Sequence, residues 1–225
     1  MKYNSIKEAI FISRPNRFIA NIEIDGKNEI CHVKNTGRCK ELLTERAKIY
    51  VQHFENTTRK TAYDLIAVEK NGILINMDSQ APNKVFYEWV KDGNFVNDIT
   101  FIKPECKYKN SRFDFYIETK YRKIFAEIKG VTLEENGVVM FPDAPTQRGI
   151  KHINELIECK KEGYDSYIFF VIQMKKCNYF TPNRKTHPEF ADALNNARKN
   201  GVEIRALNCK VLPDELKIFK NVEIV

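Results

Sequence analysis

The spacing of apolar and polar residues divides the chain into two parts. Through about the first 80 residues, apolar and polar positions alternate in short runs, which is typical of half-buried strands. Asp25-Gly26 and Asn71-Gly72 each stand between two such runs and predict hairpin turns. The stretch "NTGRCKELL" interrupts the alternation and predicts one short helix. Five or so strands with one small helix predict a closed β-barrel of the OB type.

From about Gln80 onwards, predicted helices are interleaved with predicted strands. The segment "NKVFYEWVKDG" predicts a helix that ends at Gly93, and "TQRGIKHINELIECKKEG" predicts a second that ends at Gly163. The segment "HPEFADALNNARKNG" predicts a third helix. Strands are predicted over "ITFIKPECKY", "FDFYIE", "KIFAEIKGV", "YIFFVIQM" and "VEIRAL". This order predicts an α/β sandwich, with residues 1–80 forming the barrel domain and residues 81–225 forming the second domain.

Composition and charge narrow the class of protein. With 43% hydrophobic and 30% charged residues, the 225-residue chain has an ordinary globular composition. No apolar run approaches the roughly 20 residues that span a bilayer, and the N-terminus does not read as a secretory signal, so we expect a cytoplasmic protein without a membrane partner. The six cysteines form no CxxC pair and favour free thiols. The net charge of +7 favours a polyanionic partner such as nucleic acid.

The segment "SRFDFYIETKYRKIFAEIKG" carries three charges on two neighbouring predicted strands. Because side chains alternate along a strand, Glu127 and Lys129 share one face, and Asp114 lies on the preceding strand. Two neighbouring carboxylates repel each other unless a cation lies between them, and oxygen ligands of this kind suit Mg²⁺ or Mn²⁺. The pattern indicates metal-assisted phosphodiester hydrolysis, in which Lys129 positions a water or neutralises developing charge.

The Glu-x-Lys pattern by itself is weak evidence for a metal site. It occurs five times in the chain, at residues 105–107, 118–120, 127–129, 158–160 and 215–217. Only Glu127 and Lys129 lie inside an apolar strand that follows an Asp-bearing strand. An exposed cross-strand ion pair therefore remains the alternative interpretation.

Several motifs resemble the sugar fermentation stimulation protein A family. Three segments resemble it strongly: "SRFDF", "AEIKGVTL" and "FPDAPTQRGIKHINEL". Four more look like the family's other signatures, in the same order: "SRPNRFIANIEIDG", "HVKNTGRCKELL", "FFVIQ" and "GVEI". The resemblance covers nearly the whole chain. It implies a DNA-binding protein, linked in name to sugar utilisation, with an N-terminal OB-like domain. It also implies a restriction-endonuclease-like C-terminal domain of the PD-(D/E)xK nuclease type.

The resemblance assigns roles to individual residues. Four positions match acids or the lysine of that nuclease type: Asp114, Glu127, Lys129 and, as an additional acid, Glu88. Phe113 stands where the motif has proline, so the match departs from the pattern at one position. The pair Pro142-Asp143 follows the Glu-x-Lys motif and cannot supply the first acid. Retention of both acids and the lysine favours a working Mg²⁺ or Mn²⁺ site.

Other candidate residues lie near the predicted ends of strands and helices. Gln173 ends a buried strand at the sheet edge where sites in α/β proteins gather, and it contacts the metal's water or a phosphate, or else hydrogen-bonds to backbone as a strand-end amide. Arg148 is a candidate phosphate clamp and His152 a candidate proton-transfer group, whereas the alternative is a solvated start of a helix. Asp143 or Thr146 is the expected cap of that helix.

The candidate nucleic-acid contacts are basic residues near turns and at this helix. They are Arg14, Arg17, Arg38, Lys40, Arg112, Arg148 and Lys151. The barrel aromatics Phe18, Tyr50, Phe54 and Tyr63 either stack on bases or fill the barrel core. No helix-turn-helix is recognisable, so contacts mainly to the nucleic-acid backbone are expected. The sequence leaves open DNA against RNA, strandedness, the oligomeric state (a homodimer included), and a nuclease against a non-catalytic DNA-binding regulator.

Overall fold

The structure is a computed structural model that describes residues 1–35, 37–55 and 58–225. The first part of the described chain forms six strands. They are β1 (Ile6–Ser13), β2 (Ile19–Ile24), β3 (Lys27–Val33), β4 (Lys48–His53), β5 (Tyr63–Lys70) and β6 (Ile73–Asn76). Their order in the sheet is β3-β2-β1-β4-β5-β6, and a parallel pairing of β3 with β5 closes the first five into a barrel. The predicted OB barrel is confirmed, with β6 added beside β5.

The two predicted hairpin turns lie where the sequence placed them. Asp25 and Gly26 join β2 to β3, and Asn71 and Gly72 join β5 to β6. All four residues have φ between 50° and 72°, the left-handed conformation that short hairpin turns require. The register of each hairpin follows from these turns, and in the first hairpin it places Ala20, Ile22, Cys31 and Val33 in the core.

The helix predicted over "NTGRCKELL" is wrong for the described part of that segment, which forms turns between β3 and β4. Thr36 lies outside the described residues. The carbonyls of Asn35, Gly37 and Arg38 accept hydrogen bonds from the Arg14 guanidinium instead of from amides further along a helix. Cys39 has φ +46°, which also breaks a right-handed helix.

The second part of the chain contains three helices and nine strands within the described residues. The helices are α1 (Ala81–Lys91), α2 (Gln147–Lys161) and α3 (Pro188–Lys199). The strands are β7 (Ile99–Tyr108), β8 (Ser111–Thr119), β9 (Lys123–Val131), β10 (Leu133–Glu135), β11 (Val138–Phe141), β12 (Asp165–Ile172), β13 (Tyr179–Pro182), β14 (Glu203–Leu212) and β15 (Glu215–Ile224). Their order in one mixed sheet is β10-β11-β13-β15-β14-β12-β9-β8-β7.

Helices cover both faces of this sheet, so the predicted α/β sandwich is confirmed. Helix α1 contributes Val85, Phe86 and Val90 to one apolar core. Helices α2 and α3 pack on the opposite face, in a core that continues into the barrel. β12 lies in the centre, between the parallel strands β9 and β14, and it is buried along almost its whole length. Within the described ranges, no helix combines the length and apolar character needed to cross a membrane.

Candidate metal and nucleic-acid site

The candidate site forms where the pairing of β8 with β9 ends. The ladder runs from Glu118–Lys123 to Phe115–Ala126 and stops there. Beyond it, the Asp114 side chain takes the place of a backbone acceptor: its Oδ2 accepts a hydrogen bond of 2.7 Å from the amide of Ile128. Asp114 thus lies where β8 and β9 separate, and its carboxylate is held against the backbone of β9.

The alternation of β8 changes side at Asp114. Phe113 packs in the core beneath α2, whereas Phe115 packs in the core beneath α1. In a regular strand these two residues lie on the same face, because they are two positions apart. The irregularity turns Asp114 toward β9, where it lies beside Glu127.

Two neutral or backbone donors hold Asp114 in place. Asn83 on α1 donates from Nδ2 to Oδ1 of Asp114 at 2.9 Å, and the Ile128 amide occupies Oδ2. Burial and the nearby negative charge of Glu127 raise the pKa of the Asp114 carboxyl to about 6. The charge of Glu127 therefore influences the ionisation of Asp114.

Glu127 is buried, with a side chain only 3% exposed, and is held by two donors on one oxygen. Lys129 Nζ donates to Oε1 at 2.5 Å, and His152 Nδ1 lies 2.5 Å from the same Oε1. Arg148 Nε donates to His152 Nε2 at 3.4 Å, so the His152 hydrogen lies on Nδ1 and is donated to Glu127. Burial alone raises the pKa of Glu127, but the hydrogen bond from His152 and the charge and hydrogen bond of Lys129 outweigh it and hold the pKa below its usual range.

The second oxygen of Glu127 is the feature that fits a cation. Oε2 is buried and has no hydrogen-bond partner within the described part of the chain. An ionised carboxylate oxygen without a partner in a buried position is costly, and a hard divalent cation would relieve both this cost and the repulsion from Asp114. No three His, Cys, Asp or Glu side chains among the described residues are grouped so as to hold a metal ion. Further oxygen ligands would have to be backbone, water or substrate oxygens.

Two predicted site residues lie away from this pair. Glu88 on α1 is half exposed and forms an ion pair of 2.7 Å with the amino group of Met1, so it does not join Asp114. The residue of α1 that does so is Asn83, which lies at a different angle around the helix. Gln173 is buried and donates from Nε2 to Asn76 Oδ1 at 2.9 Å and to the Asp78 carbonyl at 3.0 Å. Its amide joins the end of β12 to the barrel. This arrangement is close to the alternative interpretation of Gln173, a strand-end amide that hydrogen-bonds to backbone.

A basic pocket of about 520 Å³ lies next to Glu127. Its lining is Lys107, Lys109, Asn110, Ser111, Arg112, Arg148, Lys151 and His152. The predicted contacts Arg112, Arg148 and Lys151 therefore meet in one pocket, and two lysines of the β7–β8 hairpin join them. His152 belongs both to this pocket and to the Glu127 site, so the two features are contiguous.

The predicted basic residues of the barrel line a second and larger pocket, a cleft of about 740 Å³ between the barrel and the nine-stranded sheet. Arg14, Arg17, Arg38 and Lys40 contribute from the barrel side. From the sheet side, the lining comes from residues 130–133 after the end of the Glu-x-Lys motif, from residues 140–146 and from Gln173. The structure therefore separates the seven predicted contacts into two groups on two pockets.

Arg14 differs from the other cations of the cleft because its guanidinium is already engaged. Nη1 donates to the carbonyls of Gly37 and Arg38, and Nη2 to those of Arg17 and Asn35, at 2.7 to 2.9 Å. A guanidinium saturated in this way organises the surrounding loops and has few donors left for a phosphate.

The barrel aromatics fall into different environments. Tyr63 is buried in the core, and the Arg59 guanidinium covers the Phe54 ring at 3.9 Å from its centroid. Tyr50 is partly buried in a small core with Tyr3. Phe18 is 54% exposed and follows Arg17 directly. Of the four, Phe18 alone presents a largely free ring.

Sequence reasoning missed Asn83 and underrated His152. Asn83 lies on the predicted first helix without any charge or motif to distinguish it, and only the packing of α1 against β8 brings it to Asp114. His152 follows Lys151 on the helix after the "FPDAPT" loop. The one feature that could have identified it is its position on the apolar side of α2, where it is buried with Ile153 and Leu156. Thr146 is the cap of α2, because its Oγ1 accepts from the Gly149 amide at 3.0 Å.

Comparison with known proteins finds relatives along the full chain. Residues 12–77 match the family described as "SfsA N-terminal OB domain", and residues 80–215 match "Sugar fermentation stimulation protein RE domain". Two proteins named "Sugar fermentation stimulation protein homolog" are each 59% identical: that of Clostridium beijerinckii over 100% of both chains, and that of Ruminiclostridium cellulolyticum over 100% of this chain and 99% of its own.

A solved structure has the same fold. It is that of SfsA from Pyrococcus furiosus, described as a complex with Ca²⁺, which aligns with a TM-score of 0.91 at 30% sequence identity. The alignment covers 100% of this chain and 98% of that one. The two domain matches, the 59% identity and this likeness agree with each other, and the chain belongs to the sugar fermentation stimulation protein (SfsA) family.

Proposed function

We propose that this protein is a Mg²⁺- or Mn²⁺-dependent nuclease that hydrolyses phosphodiester bonds of DNA. The observation that carries the proposal is the buried, unpartnered Oε2 of Glu127 beside Asp114, with Lys129 on the same face of β9. An exposed cross-strand ion pair, the alternative interpretation of the Glu-x-Lys motif, does not account for a carboxylate that is 3% exposed.

Each residue of the pair has a distinct role in this proposal. Asp114 and Glu127 would hold the divalent cation, which supplies water activation and charge stabilisation when bound. Lys129 keeps Glu127 ionised and brings a positive charge to the place where a scissile phosphate's charge develops. Arg112, Arg148 and Lys151 in the basic pocket bind the flanking phosphates.

The Ca²⁺ in the related Pyrococcus furiosus structure supports a divalent cation in this family. Ca²⁺ and Mg²⁺ share carboxylate and carbonyl oxygens as ligands, although Mg²⁺ demands a smaller and stricter octahedral geometry. We therefore expect Ca²⁺ to bind this chain at Asp114 and Glu127 as a substitute for Mg²⁺ or Mn²⁺.

A second candidate function is a non-catalytic DNA-binding regulator, in keeping with the family's link by name to sugar fermentation. The observation that favours it is the engagement of three of the four carboxylate oxygens by protein donors. Asn83 and the Ile128 amide occupy Asp114, and Lys129 and His152 share Oε1 of Glu127. In this case the basic pocket and the cleft bind the DNA backbone without cleavage.

The two functions are separated by incubating purified protein with labelled linear, circular and single-stranded DNA, in Mg²⁺, Mn²⁺ or chelator. The variants are Glu127→Gln and Lys129→Met. The matched control is Glu158→Gln, which alters the exposed glutamate of another Glu-x-Lys sequence, on α2, where it is paired with Lys161. The nuclease proposal expects cleavage that requires the metal, survives in the control and falls at least about 100-fold in both site variants.

A different outcome would favour the regulator. If the wild-type protein binds DNA but cleaves none of the substrates with either metal, it is a DNA-binding protein without nuclease activity. Cleavage that persists in Glu127→Gln would also contradict the proposed site, because it would point to a contaminating or different activity.

A further inference from the structure

The cleft between the barrel and the nine-stranded sheet begins where the candidate cleavage site ends. Gly130 to Leu133 line its floor and follow Lys129 directly along the chain. On the other side of the Glu127 site lies the basic pocket, which shares His152 with it. A polyanion that crosses Glu127 and Lys129 would therefore meet positive charge in both directions.

The two pockets are joined by the first turns of α2. Thr146 lines the cleft, whereas Arg148 and His152 line the basic pocket. Among the described residues, five cations and no acid line the basic pocket, and four cations and one acid, Asp143, line the cleft. Three of the five cations of the basic pocket also form ion pairs with acids outside its lining: Lys109, Arg112 and Lys151. The excess of positive charge thus continues past the site on both sides of this helix start.

The walls of the cleft come close together at one glycine. A Cβ placed on Gly37 of the barrel would lie 2.8 Å from Oδ2 of Asp143, on the loop that leads into α2. The barrel loop therefore lies directly against the sheet domain, and the cleft is bounded on that side. Its volume of about 740 Å³ falls within the range of sites for small organic ligands, which gives room for one or two nucleotides of one strand.

The barrel side of the cleft offers groups that suit an unpaired strand. Arg17 and Arg38 are both exposed, and their carbonyls are held by the Arg14 guanidinium, which fixes the two backbones relative to each other. Phe18 does not line the cleft itself, but it follows Arg17, which does, and it presents a largely exposed ring. Exposed aromatics beside cations bind single strands, because an unpaired base has a free face for stacking.

We propose that this cleft binds a single-stranded segment of the nucleic acid, on the side of the cleavage site opposite the basic pocket. In this arrangement Arg17 and Arg38 contact phosphates, Phe18 stacks on a base, and Arg14 is a positioning residue. The proposal rests on the proposed function for its substrate class, but it concerns which form of DNA is bound and not whether DNA is cut.

The test measures binding of a fluorescent oligonucleotide of about 15 nucleotides, alone and annealed to its complement, by anisotropy in chelator so that no cleavage occurs. We expect the single strand to bind at least about tenfold more tightly than the duplex. In Arg17→Ala/Arg38→Ala, single-strand affinity should fall, and the slope of log K against log salt should decrease by about 1.4, since each phosphate contact on a single strand contributes about 0.7.

Charge-matched and ring variants complete the test. Lys7→Ala/Lys27→Ala removes two exposed barrel cations outside both pockets and should leave the single-strand preference intact. Phe18→Ala should weaken the single strand about tenfold and the duplex little. Arg14→Lys should weaken single-strand binding although the charge is retained, because a lysine cannot hold four carbonyls. Melting curves establish that each variant is folded.

Three results would overturn the inference. The first is a duplex that binds as tightly as the single strand, and the second is an equal loss in the Lys7→Ala/Lys27→Ala control. The third is competition by inorganic phosphate at about 1 mM, which would make the cleft a site for small phosphorylated ligands. A single-strand preference without any cleavage in Mg²⁺ would support this inference and contradict the nuclease, so the two proposals fail separately.

Discussion

Glu127 remains ionised in a buried position because two donors share one of its oxygens and leave the other free. Lys129 and His152 both act on Oε1, so the charge is compensated without saturating the carboxylate. Asp114 is arranged differently, since both of its oxygens accept hydrogen bonds from uncharged donors, Asn83 and the Ile128 amide. The two acids of one site therefore differ in pKa, with Asp114 raised and Glu127 lowered.

The raised pKa of Asp114 predicts that the site costs stability at neutral pH. Because the folded-state pKa of about 6 lies above the unfolded value of about 3.9, this group's contribution is most favourable below the unfolded value and is lost as the pH rises through about 6. Asp114→Asn should therefore gain about 2 kcal/mol relative to wild type between pH 4 and pH 8. Urea unfolding at both pH values measures this difference.

A control and an opposite outcome define this prediction. Asp192→Asn, which alters an exposed carboxylate on α3, should show no comparable change in the difference between pH 4 and pH 8. If Asp114→Asn has the same stability relative to wild type at both pH values, then Asp114 does not carry the unfavourable buried charge inferred here.

His152 is expected to orient Glu127 for the cation. Its Nδ1 hydrogen fixes Oε1, which leaves Oε2 directed away from the pair of donors. His152→Ala should lower Ca²⁺ affinity by about 10- to 100-fold, the usual effect of removing a partner that orients a metal ligand. Calorimetric titration of Ca²⁺ measures it, with Lys161→Ala on the same helix as the control. Unchanged affinity in a folded His152→Ala protein would exclude this role.

At the scale of elements, the start of α2 brings both pockets and the site together. Thr146 caps the helix through Gly149, and its own amide donates to Nδ1 of the buried His187 at 3.3 Å. Sequence alone identified this helix and its two candidate caps, because the helical spacing of Ile150, Ile153 and Ile157 is regular. The contact with His187 joins residues 41 positions apart and carries no local signal.

The cap predicts a specific effect of substitution. Thr146→Ala should lower the free energy of unfolding by about 1 kcal/mol, and Thr146→Ser should retain most of it because the serine hydroxyl can accept from the Gly149 amide. Chemical unfolding of both variants gives the values. Equal losses in Ala and Ser would show that the methyl group, which packs near Gly149, matters more than the hydrogen bond.

The strands that sequence missed share a physical reason. β10, β11 and β13 are short and lie at one end of the sheet. β15 is long and lies further inside, but it exposes charged residues along much of its length. Such strands are stabilised by pairing with distant segments, as in the antiparallel pairing of β15 with β14. Their own sequences therefore lack the continuous apolar run that identified β12.

At the scale of the whole molecule, a buried polar cluster joins the barrel to the sheet domain. Gln173 donates to the side chain of Asn76 and to the Asp78 carbonyl. The Asp78 carboxylate forms an ion pair with Lys34, with 3.0 Å between Oδ2 and Nζ. The Gln173 carbonyl also accepts from the Asn76 amide. These contacts fix the cleft between the domains, because they lie where its two walls meet.

Substitution of Gln173 tests whether this residue belongs to the joint or to the metal site. Gln173→Ala removes two buried hydrogen bonds, one to the Asn76 oxygen and one to the Asp78 carbonyl, and it should cost about 1–3 kcal/mol of stability. The two acceptors then keep only the amides of Asp78 and Ala81. Ca²⁺ affinity, measured by calorimetry, should be unchanged because the amide nitrogen is hydrogen-bonded to the barrel and to neither acid of the site. A loss of Ca²⁺ binding without loss of stability would restore the alternative role near the metal.

The sequence by itself determined the two fold classes, the hairpin turns, the three helices and the placing of Glu127 and Lys129 on one face, because each follows from local periodicity or turn chemistry. Only the tertiary structure decided which residues meet. It brought Asn83 and His152 to the two acids, took Glu88 and Gln173 elsewhere, and divided the basic residues between two pockets. Such contacts depend on how helices and sheets pack over long separations, and no local pattern encodes them.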